Sequence, residues 1–142
     1  MIGMRLGSNE IEKVALGKIL SEKNKIKKIE KIEDIEFKIF SQFGDDGIIQ
    51  YLVDKLNIGY EYHNFIEFGV EDYSEANTKF LLLNNNWSGF ILDSSGKNIE
   101  SIKKKSYFWK YDLEAKQSFV KKENINELIY NSSMKNKKIG IL

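Results

Sequence analysis

Apolar residues recur with two different periods along the chain, and the change of period separates two segments. In residues 8–25, Ile11, Val14, Ala15 and Ile19 recur at helical spacing, which predicts an amphipathic helix. The stretch that follows is rich in lysine, glutamate and isoleucine, and it is interpreted either as more helix or as a solvated connector. We therefore expect residues 1–38 to form a helical segment and connector that precedes the main domain.

A second helix is predicted after a turn at Gly44. Residues 48–56 carry an apolar stripe at helical spacing, and an acidic pair before it suits the positive end of the helix dipole. Four polar residues are interpreted as the start of this helix, with contact to a substrate or a lid as the alternative: Ser41, Gln42, Asp45 and Asp46.

Beyond residue 59, short apolar runs alternate with helical patterns. Four strands are predicted, at residues 65–68, 88–93, 106–112 and 137–142. Helices are predicted between them, at residues 74–86 with Ser74 as the cap, 94–105 and 122–133. Strands separated by helices predict βαβ units and a mostly parallel sheet. The expected fold class is α/β, with a Rossmann-like, doubly wound sheet behind N-terminal helices.

Composition narrows the classes of function. The 142 residues contain 22 Lys and Arg against 21 Asp and Glu, so no nucleic-acid partner is expected. Cysteine is absent, which excludes disulfides and thiolate zinc sites, and the single His63 argues against clustered-histidine metal sites. No run is apolar and long enough for a membrane span, and the N-terminus lacks the apolar core of a signal peptide. We therefore expect a cytoplasmic protein, and no residue is predicted as a metal ligand.

The predicted strand ends carry the candidate chemistry. In parallel α/β sheets, ligands bind beyond the carboxyl ends of the strands, where glycine lets backbone approach a ligand closely. Gly69 follows the first strand, and Asp93 closes the second strand 24 positions later. That spacing is close to the roughly 20-residue offset between the dinucleotide fingerprint and its ribose-binding acid. Asp112 closes the predicted third strand, so Glu67, Asp93 and Asp112 are expected along one rim of the sheet.

The same loop departs from a dinucleotide site. Glu71 and Tyr73 stand near the places where the fingerprint has further glycines. The carboxylates of Glu71 and Asp72 would repel a pyrophosphate. This argues against NAD or FAD and favours a nucleoside without phosphate, such as S-adenosylmethionine with its positive sulfonium.

The motifs resemble a known family. FIEFGVEDYSEANT (residues 65–78), followed by NNWSGFILDSS (residues 85–95), resembles the first two strands of a class I S-adenosylmethionine-dependent methyltransferase. FSQFGDDGI before this core and ENINELI after it resemble FkbM-like methyltransferases, many of which are encoded in bacterial surface-carbohydrate gene clusters. The resemblance covers residues 40–142. It implies S-adenosylmethionine as cofactor and a small-molecule or glycan acceptor, most plausibly a sugar hydroxyl.

The resemblance also implies roles for individual residues. The glycine loop would hold the methionine part of the cofactor, the acid after the second strand the ribose, and the acid after the third strand the adenine. The implied cofactor-binding residues are Glu67, Gly69, Val70, Glu71, Asp93, Ser94 and Asp112. It identifies no catalytic base and no metal ligand.

The family's sheet has seven strands, whereas four are predicted here. Residues 39–142 are therefore expected to be the N-terminal half of the methyltransferase-like domain, in a truncated form. The final predicted strand would leave an exposed sheet edge, which predicts pairing with a second copy as a homo-oligomer. Two alternatives remain open: a non-catalytic Rossmann module that binds an adenosine nucleotide, and an interaction fragment that needs a partner.

Overall fold

The computed structural model describes residues 8–142, which fold into a helical and strand-containing domain. The helices are α1 (Ser8–Ile26), α2 (Asp45–Lys55), α3 (Lys79–Asn85), α4 (Gly96–Lys103), α5 (Ser106–Lys110) and α6 (Ile125–Tyr130). The strands are β1 (Asn64–Phe68), β2 (Ser88–Asp93) and β3 (Leu113–Gln117), and 3-10 turns occupy Ile32–Asp34 and Tyr60–Tyr62. The predicted helices that became α1, α2, α4 and α6 are confirmed.

The three strands form one parallel sheet in the order β1-β2-β3. Glu67 lies beside Ile91, and Asp93 lies beside Gln117, so the carboxyl ends of the strands meet at one edge. The α/β class and the parallel sheet are confirmed. Within residues 8–142 the predicted fourth strand is represented by one bridge, between Phe65 and Ile141, on the free edge of β1.

The third strand lies later in the chain than the sequence predicted. The aromatic run at residues 106–112 has high strand propensity, but most of it forms α5, with Tyr107 buried and Trp109 exposed. The strand is β3, in which Leu113 and Ala115 are buried on one face. The prediction of a strand at residues 106–112 is therefore wrong. Burial of Leu113 and Ala115 against the sheet outweighs the strand propensity of the aromatic run.

The core lies on both faces of the sheet. On one face, strand residues pack against α3 and α4, through a cluster that includes Phe65, Ile91, Leu113, Phe80, Leu81, Ile99 and Ile102. On the other face, strand residues pack around α6 and the chain that follows it, through Ile66, Phe90, Leu92, Leu128 and Met134. Alternate residues of β1 and β2 thus pack into the cores on opposite faces of the sheet, as expected for strands covered on both sides.

The N-terminal helix packs onto the first of these cores. Val14 and Leu20 contact the larger cluster, and a methyl group added at Gly17 would overlap the ring of Phe80. Glycine at this position therefore lets α1 approach α3 closely. After α1 ends, the chain to residue 44 contains only the short turn at Ile32–Asp34, so it is a connector rather than more helix.

A buried lysine joins the two helices electrostatically. The ammonium of Lys79 lies 4.8 Å from the centre of the Phe40 ring and 4.0 Å from Oε1 of Glu10. Burial lowers the pKa of Lys79, and the nearby carboxylate of Glu10 opposes that shift. Because a buried charge without a partner is costly, this contact favours one position of α1 over the sheet.

The start of α3 also differs from its prediction. Ser74 was expected to cap the helix, but α3 begins at Lys79 after Thr78, and Ser74 lies in the preceding loop. The helix is delayed because Glu71 and Tyr73 take positive φ angles of 53° and 63°, which belong to an irregular loop. Among the helices of residues 8–142, none has the length and apolar character required to cross a membrane.

Candidate functional site

The loop after β1 is shaped by Gly69. Its φ of +72° is in the left-handed region, and its N–H donates to the Leu92 carbonyl at 2.8 Å. A Cβ at this position would meet no atom within 4 Å, so glycine is required by the backbone and not by crowding. Glu71 and Tyr73 hold positive φ without being glycine, which costs on the order of 1 kcal/mol each. Strained loops of this kind are typical of ligand sites.

Glu67 connects the end of β1 to the start of α3. Its Oε1 accepts the Asn77 N–H at 3.1 Å, and its Oε2 accepts the Thr78 N–H at 3.1 Å and the Thr78 hydroxyl at 2.5 Å. The Thr78 hydroxyl also lies 2.8 Å from the hydroxyl of Tyr73, which is fully buried. Glu67 therefore fixes the loop from inside, and its predicted contact with a ligand has to share this carboxylate.

Asp93 connects the end of β2 to the loop after β1 and to the start of α4. Its Oδ1 accepts the Glu71 N–H at 2.9 Å, and its Oδ2 accepts the Ser95 N–H at 3.0 Å and the Asn98 amide at 3.1 Å. Burial by itself raises the pKa of Asp93, but the hydrogen bonds from Ser95, Asn98 and Glu71 outweigh it and hold the pKa below its ordinary value. A carboxylate offers about four acceptor positions, so these three hydrogen bonds leave one acceptor position of Asp93 unused.

Two adjacent cavities flank Gly69 at the strand ends. One of about 280 Å³ is lined by Gln42, Glu67, Gly69, Val70, Glu71, Glu75, Ala76 and Asn77. The other, of about 170 Å³, is lined by Phe68, Gly69, Asp93, Ser94, Ser118, Phe119 and Val120. Small-molecule sites usually occupy about 300–1,000 Å³, so the two cavities reach that size only together. Six of the seven predicted cofactor residues line them.

The first cavity is strongly acidic. Glu67, Glu71 and Glu75 all line it, and the ammonium of Lys38 lies 3.9 Å from Glu75. Both side chains of that pair are more than half exposed, so water screens their interaction. The cavity therefore favours a cationic group and disfavours a phosphate.

Asp112 does not belong to this site. It precedes β3, its Oδ2 accepts the Ser88 hydroxyl at 2.6 Å, and Ser88 is the first residue of β2. The prediction that Asp112 lies on the same rim as Glu67 and Asp93 is wrong, because the strand assignment that placed it there was wrong.

Ser118 and Phe119 occupy the position expected for Asp112. The Ser118 N–H donates to the Asp93 carbonyl at 2.9 Å, and both residues line the smaller cavity beside Asp93. The sequence contained a signal for them: the alternation of Leu113 and Ala115 ends at polar residues just before Ser118.

The loop before α2 supports the site from a third side. Asp46 is buried, and its Oδ2 accepts the backbone N–H groups of residues 39–41 at 2.7 to 2.8 Å. The Phe40 carbonyl in turn accepts the Ala76 N–H at 3.0 Å, and Gln42 reaches the acidic cavity. Asp45 and Asp46 do lie in the first turn of α2, as predicted, and Asp46 also positions this loop against the loop after β1.

Two other features lie away from the strand ends. His63 stacks on Trp87 with ring centres 4.8 Å apart, and its Nε2 lies 3.0 Å from the Ile58 carbonyl, which is a packing role. A cavity of about 240 Å³ between α1 and α2 is rich in carboxamides, but Gln50 is already bonded to Asn85 at 2.7 Å. Neither feature joins the candidate site.

The described residues thus offer an acidic cavity beside an apolar one, joined at a glycine, and this arrangement suits a ligand with a cationic end and a flat ring. Within residues 8–142, no group of three or more histidine, cysteine, aspartate or glutamate side chains is arranged to hold a metal ion. Comparison with known proteins found no significant match among family models, curated proteins or solved structures.

Proposed function

We propose that the loops at the carboxyl ends of β1 and β2 bind S-adenosylmethionine, and that the protein is a methyltransferase dependent on it. The observation that carries this proposal is the hydrogen bond of 2.9 Å from the Glu71 N–H to Asp93, which locks the Gly69 loop to the acid that closes β2. Both cavities open on either side of this lock. When bound, S-adenosylmethionine supplies an electrophilic methyl group.

The residues present fit such a ligand. The open space beside Gly69 leaves room for a ligand against the backbone. Glu71 and Glu75 of the acidic cavity would bind the α-ammonium group and face the positive sulfonium, and they oppose the pyrophosphate of a dinucleotide. The remaining acceptor position of Asp93 would take a ribose hydroxyl.

The second cavity would take the base. Phe119, exposed and adjacent to Val120, provides an apolar surface for an adenine ring, in the role that the sequence had assigned to Asp112. Ser94 and Ser118 supply polar atoms around the ring. The polar part of the ligand would then lie over the acidic cavity and the flat adenine ring over the apolar cavity.

The strand order supports a Rossmann-like, doubly wound domain. The bridge to Ile141 puts the end of the chain on the free side of β1, which would give the order fourth strand, β1, β2, β3. The order then reverses at β1, and ligands of doubly wound sheets bind at that switch point. Gly69 follows β1 directly.

The proposed acceptor is the hydroxyl of a sugar or surface-glycan component, as the resemblance implies. Phe43 and Phe68 are exposed at the loops beside the site and offer apolar surface to a sugar ring. The contribution of this chain would be to hold acceptor and methyl donor in line, which can supply much of the rate enhancement of a transfer reaction.

Calorimetric titration with S-adenosylhomocysteine tests the binding claim. We expect Asp93→Ala to weaken binding at least about tenfold, or about 1.4 kcal/mol, because it removes the ribose acceptor and the anchor of the loop. Asp112→Ala is the matched control, and it should leave affinity unchanged, since Asp112 lies at the other end of the sheet. Circular dichroism checks that each variant folds.

A second variant keeps the test decisive if Asp93→Ala fails to fold. A methyl group at Gly69 meets no atom within 4 Å, but alanine at a φ of +72° strains the backbone by about 1–2 kcal/mol, so Gly69→Ala should fold with lower stability and bind more weakly. Equal affinity in wild type and a folded Asp93→Ala or Gly69→Ala protein would contradict the proposed site. Binding of adenosine monophosphate in preference to S-adenosylhomocysteine would instead favour the non-catalytic nucleotide module.

A further inference from the structure

Helix α1 has a second apolar face that packs on nothing within residues 8–142. Its inward face holds Val14, Gly17 and Leu20 against the core. On its other faces, four large apolar side chains are exposed, with 52% of Ile11, 51% of Leu16, 56% of Ile19 and 88% of Ile26 accessible. Single exposed apolar residues are normal, but several on one helix indicate an interaction surface.

Three of these residues and the exposed Ala15 form a stripe, and Leu16 lies to one side of it. At 100° per residue, Ile11, Ala15, Ile19 and Ile26 fall within about 80° of one another, on the side opposite Gly17. We call these four residues the α1 stripe. It runs nearly the full length of the helix, which is the shape that a second helix covers.

Charged residues flank the α1 stripe in a pattern that selects a partner. Glu12 and Lys23 lie along one side of it, near opposite ends, whereas Glu22, which falls between Ile11 and Ala15 around the helix, is bonded to Lys25 at 2.9 Å. In an antiparallel pair related by a two-fold axis, each side of one helix meets the same side of the other in reverse direction. Glu12 then meets Lys23 of the second copy, and Lys23 meets its Glu12.

We propose that the α1 stripe binds the α1 stripe of a second copy of this chain, antiparallel and with the two-fold axis between residues 18 and 19. That register places Ile11 against Ile26 of the second copy. Glu12 and Lys23 of the second copy then lie about 3 Å from direct opposition along the axis, within reach of Glu and Lys side chains. Opposite charges beside an apolar seam set the orientation of paired helices.

The pairing stands apart from the proposed methyltransferase activity. The α1 stripe contributes no residue to either cavity at the strand ends. A single pair of helices buries less than a standard interface of about 1,600 Å², so the dimer should dissociate on dilution. It also differs from the sheet-edge contact that the sequence predicted, since it leaves the edge of β1 untouched.

Sedimentation equilibrium on the full chain, from about 5 to 500 µM, tests the proposal across the range of a weak interface. Wild type should rise from 16.6 kDa toward twice that mass. Ile19→Glu places a charge in the centre of the stripe and should keep the protein monomeric throughout. Ile19 is exposed, so this variant should fold normally.

Exchanging the charges of Glu12 and Lys23 distinguishes the proposed α1 dimer from any other dimer. Glu12→Lys should weaken association at least about tenfold, since it opposes two lysines, and Glu12→Lys with Lys23→Glu should restore it to within about threefold of wild type. Glu123→Lys, an exposed change of the same charge far from α1, is the control and should have no effect. A wild-type monomer at every concentration, a dimer that survives Ile19→Glu, or a double variant that stays weak would overturn the proposal.

Discussion

Asp93 and Glu67 show how a single carboxylate at a strand end can shape a loop. Each accepts backbone N–H groups from the segment that follows β1: Asp93 from Glu71, and Glu67 from Asn77 and Thr78. These hydrogen bonds satisfy donors that the irregular loop cannot pair within itself. The two acids thus fix both ends of the loop, and Gly69 and Glu71 are held where a ligand would meet them.

The stability contributed by Asp93 should depend on pH. Its folded-state pKa lies below the ordinary value of 3.8, so its contribution is present above that pH and is lost as the pH falls through the folded-state pKa. Asp93→Ala should lower the free energy of unfolding by about 2 kcal/mol at pH 7, because it leaves three part-buried donors unpaired. The difference from wild type should shrink as the pH falls below 3.8.

Urea unfolding of both proteins at pH 7, 4 and 3 measures this difference. Glu123→Ala, which removes an exposed carboxylate, should leave the pH dependence of stability unchanged. A difference between wild type and Asp93→Ala that stays constant down to pH 3 would mean that the three hydrogen bonds do not depend on the charge of Asp93.

At the scale of residues, the sequence predicted what depends on local chemistry. Gly69 and Asp93 were found because a positive φ and a strand-end acid leave direct marks in the sequence. Asp112 was misplaced, and Phe119 was missed, because both depend on where β3 lies. The structural work of Glu67 was also missed, since it is done through residues ten and eleven positions away.

At the scale of elements, amphipathic helices were predictable and the third strand was not. α2 and α4 carry clear apolar stripes and turn residues, and each forms close to its predicted position. β3 has weak strand propensity but two apolar residues at the right spacing, whereas α5 has strong strand propensity and is a helix. Packing against the neighbouring strand decides between them, and sequence periodicity does not contain that information.

The contact between α1 and α3 gives a prediction at this scale. Gly17→Ala gains about 1 kcal/mol of helix propensity, but its methyl group overlaps the Phe80 ring, and overpacking of this kind costs about 1–3 kcal/mol. We expect a net loss of about 1 kcal/mol in the free energy of unfolding, measured by urea denaturation. Lys18→Ala, on the exposed side of the same helix, should change it by less than about 0.5 kcal/mol.

Gly17→Ala therefore tests directly how closely α1 packs against α3. A rise in stability would mean that the propensity gain is realised without strain, and that α1 does not approach α3 as closely as the structure has it.

At the scale of the whole molecule, the alternation of helices and strands predicted the α/β class but not the order of the strands. That order follows from long-range contacts, such as the Ile66 N–H donating to the Ile141 carbonyl at 3.1 Å across 75 residues. The pairing of β1 with β2 likewise brings their carboxyl ends together, and with them the residues of the proposed site. The location of that site is the central claim of the account.

The most direct test of that claim is a nuclear magnetic resonance titration, in which S-adenosylhomocysteine is added to ¹⁵N-labelled protein and backbone amide shifts are followed. We expect the largest amide shift changes at Gly69, Glu71, Ser94 and Phe119, with little change at Asp112 or in the cavity between α1 and α2. Changes centred on Asp112 or on that other cavity, or no changes at all, would contradict a cofactor site at the carboxyl ends of β1 and β2.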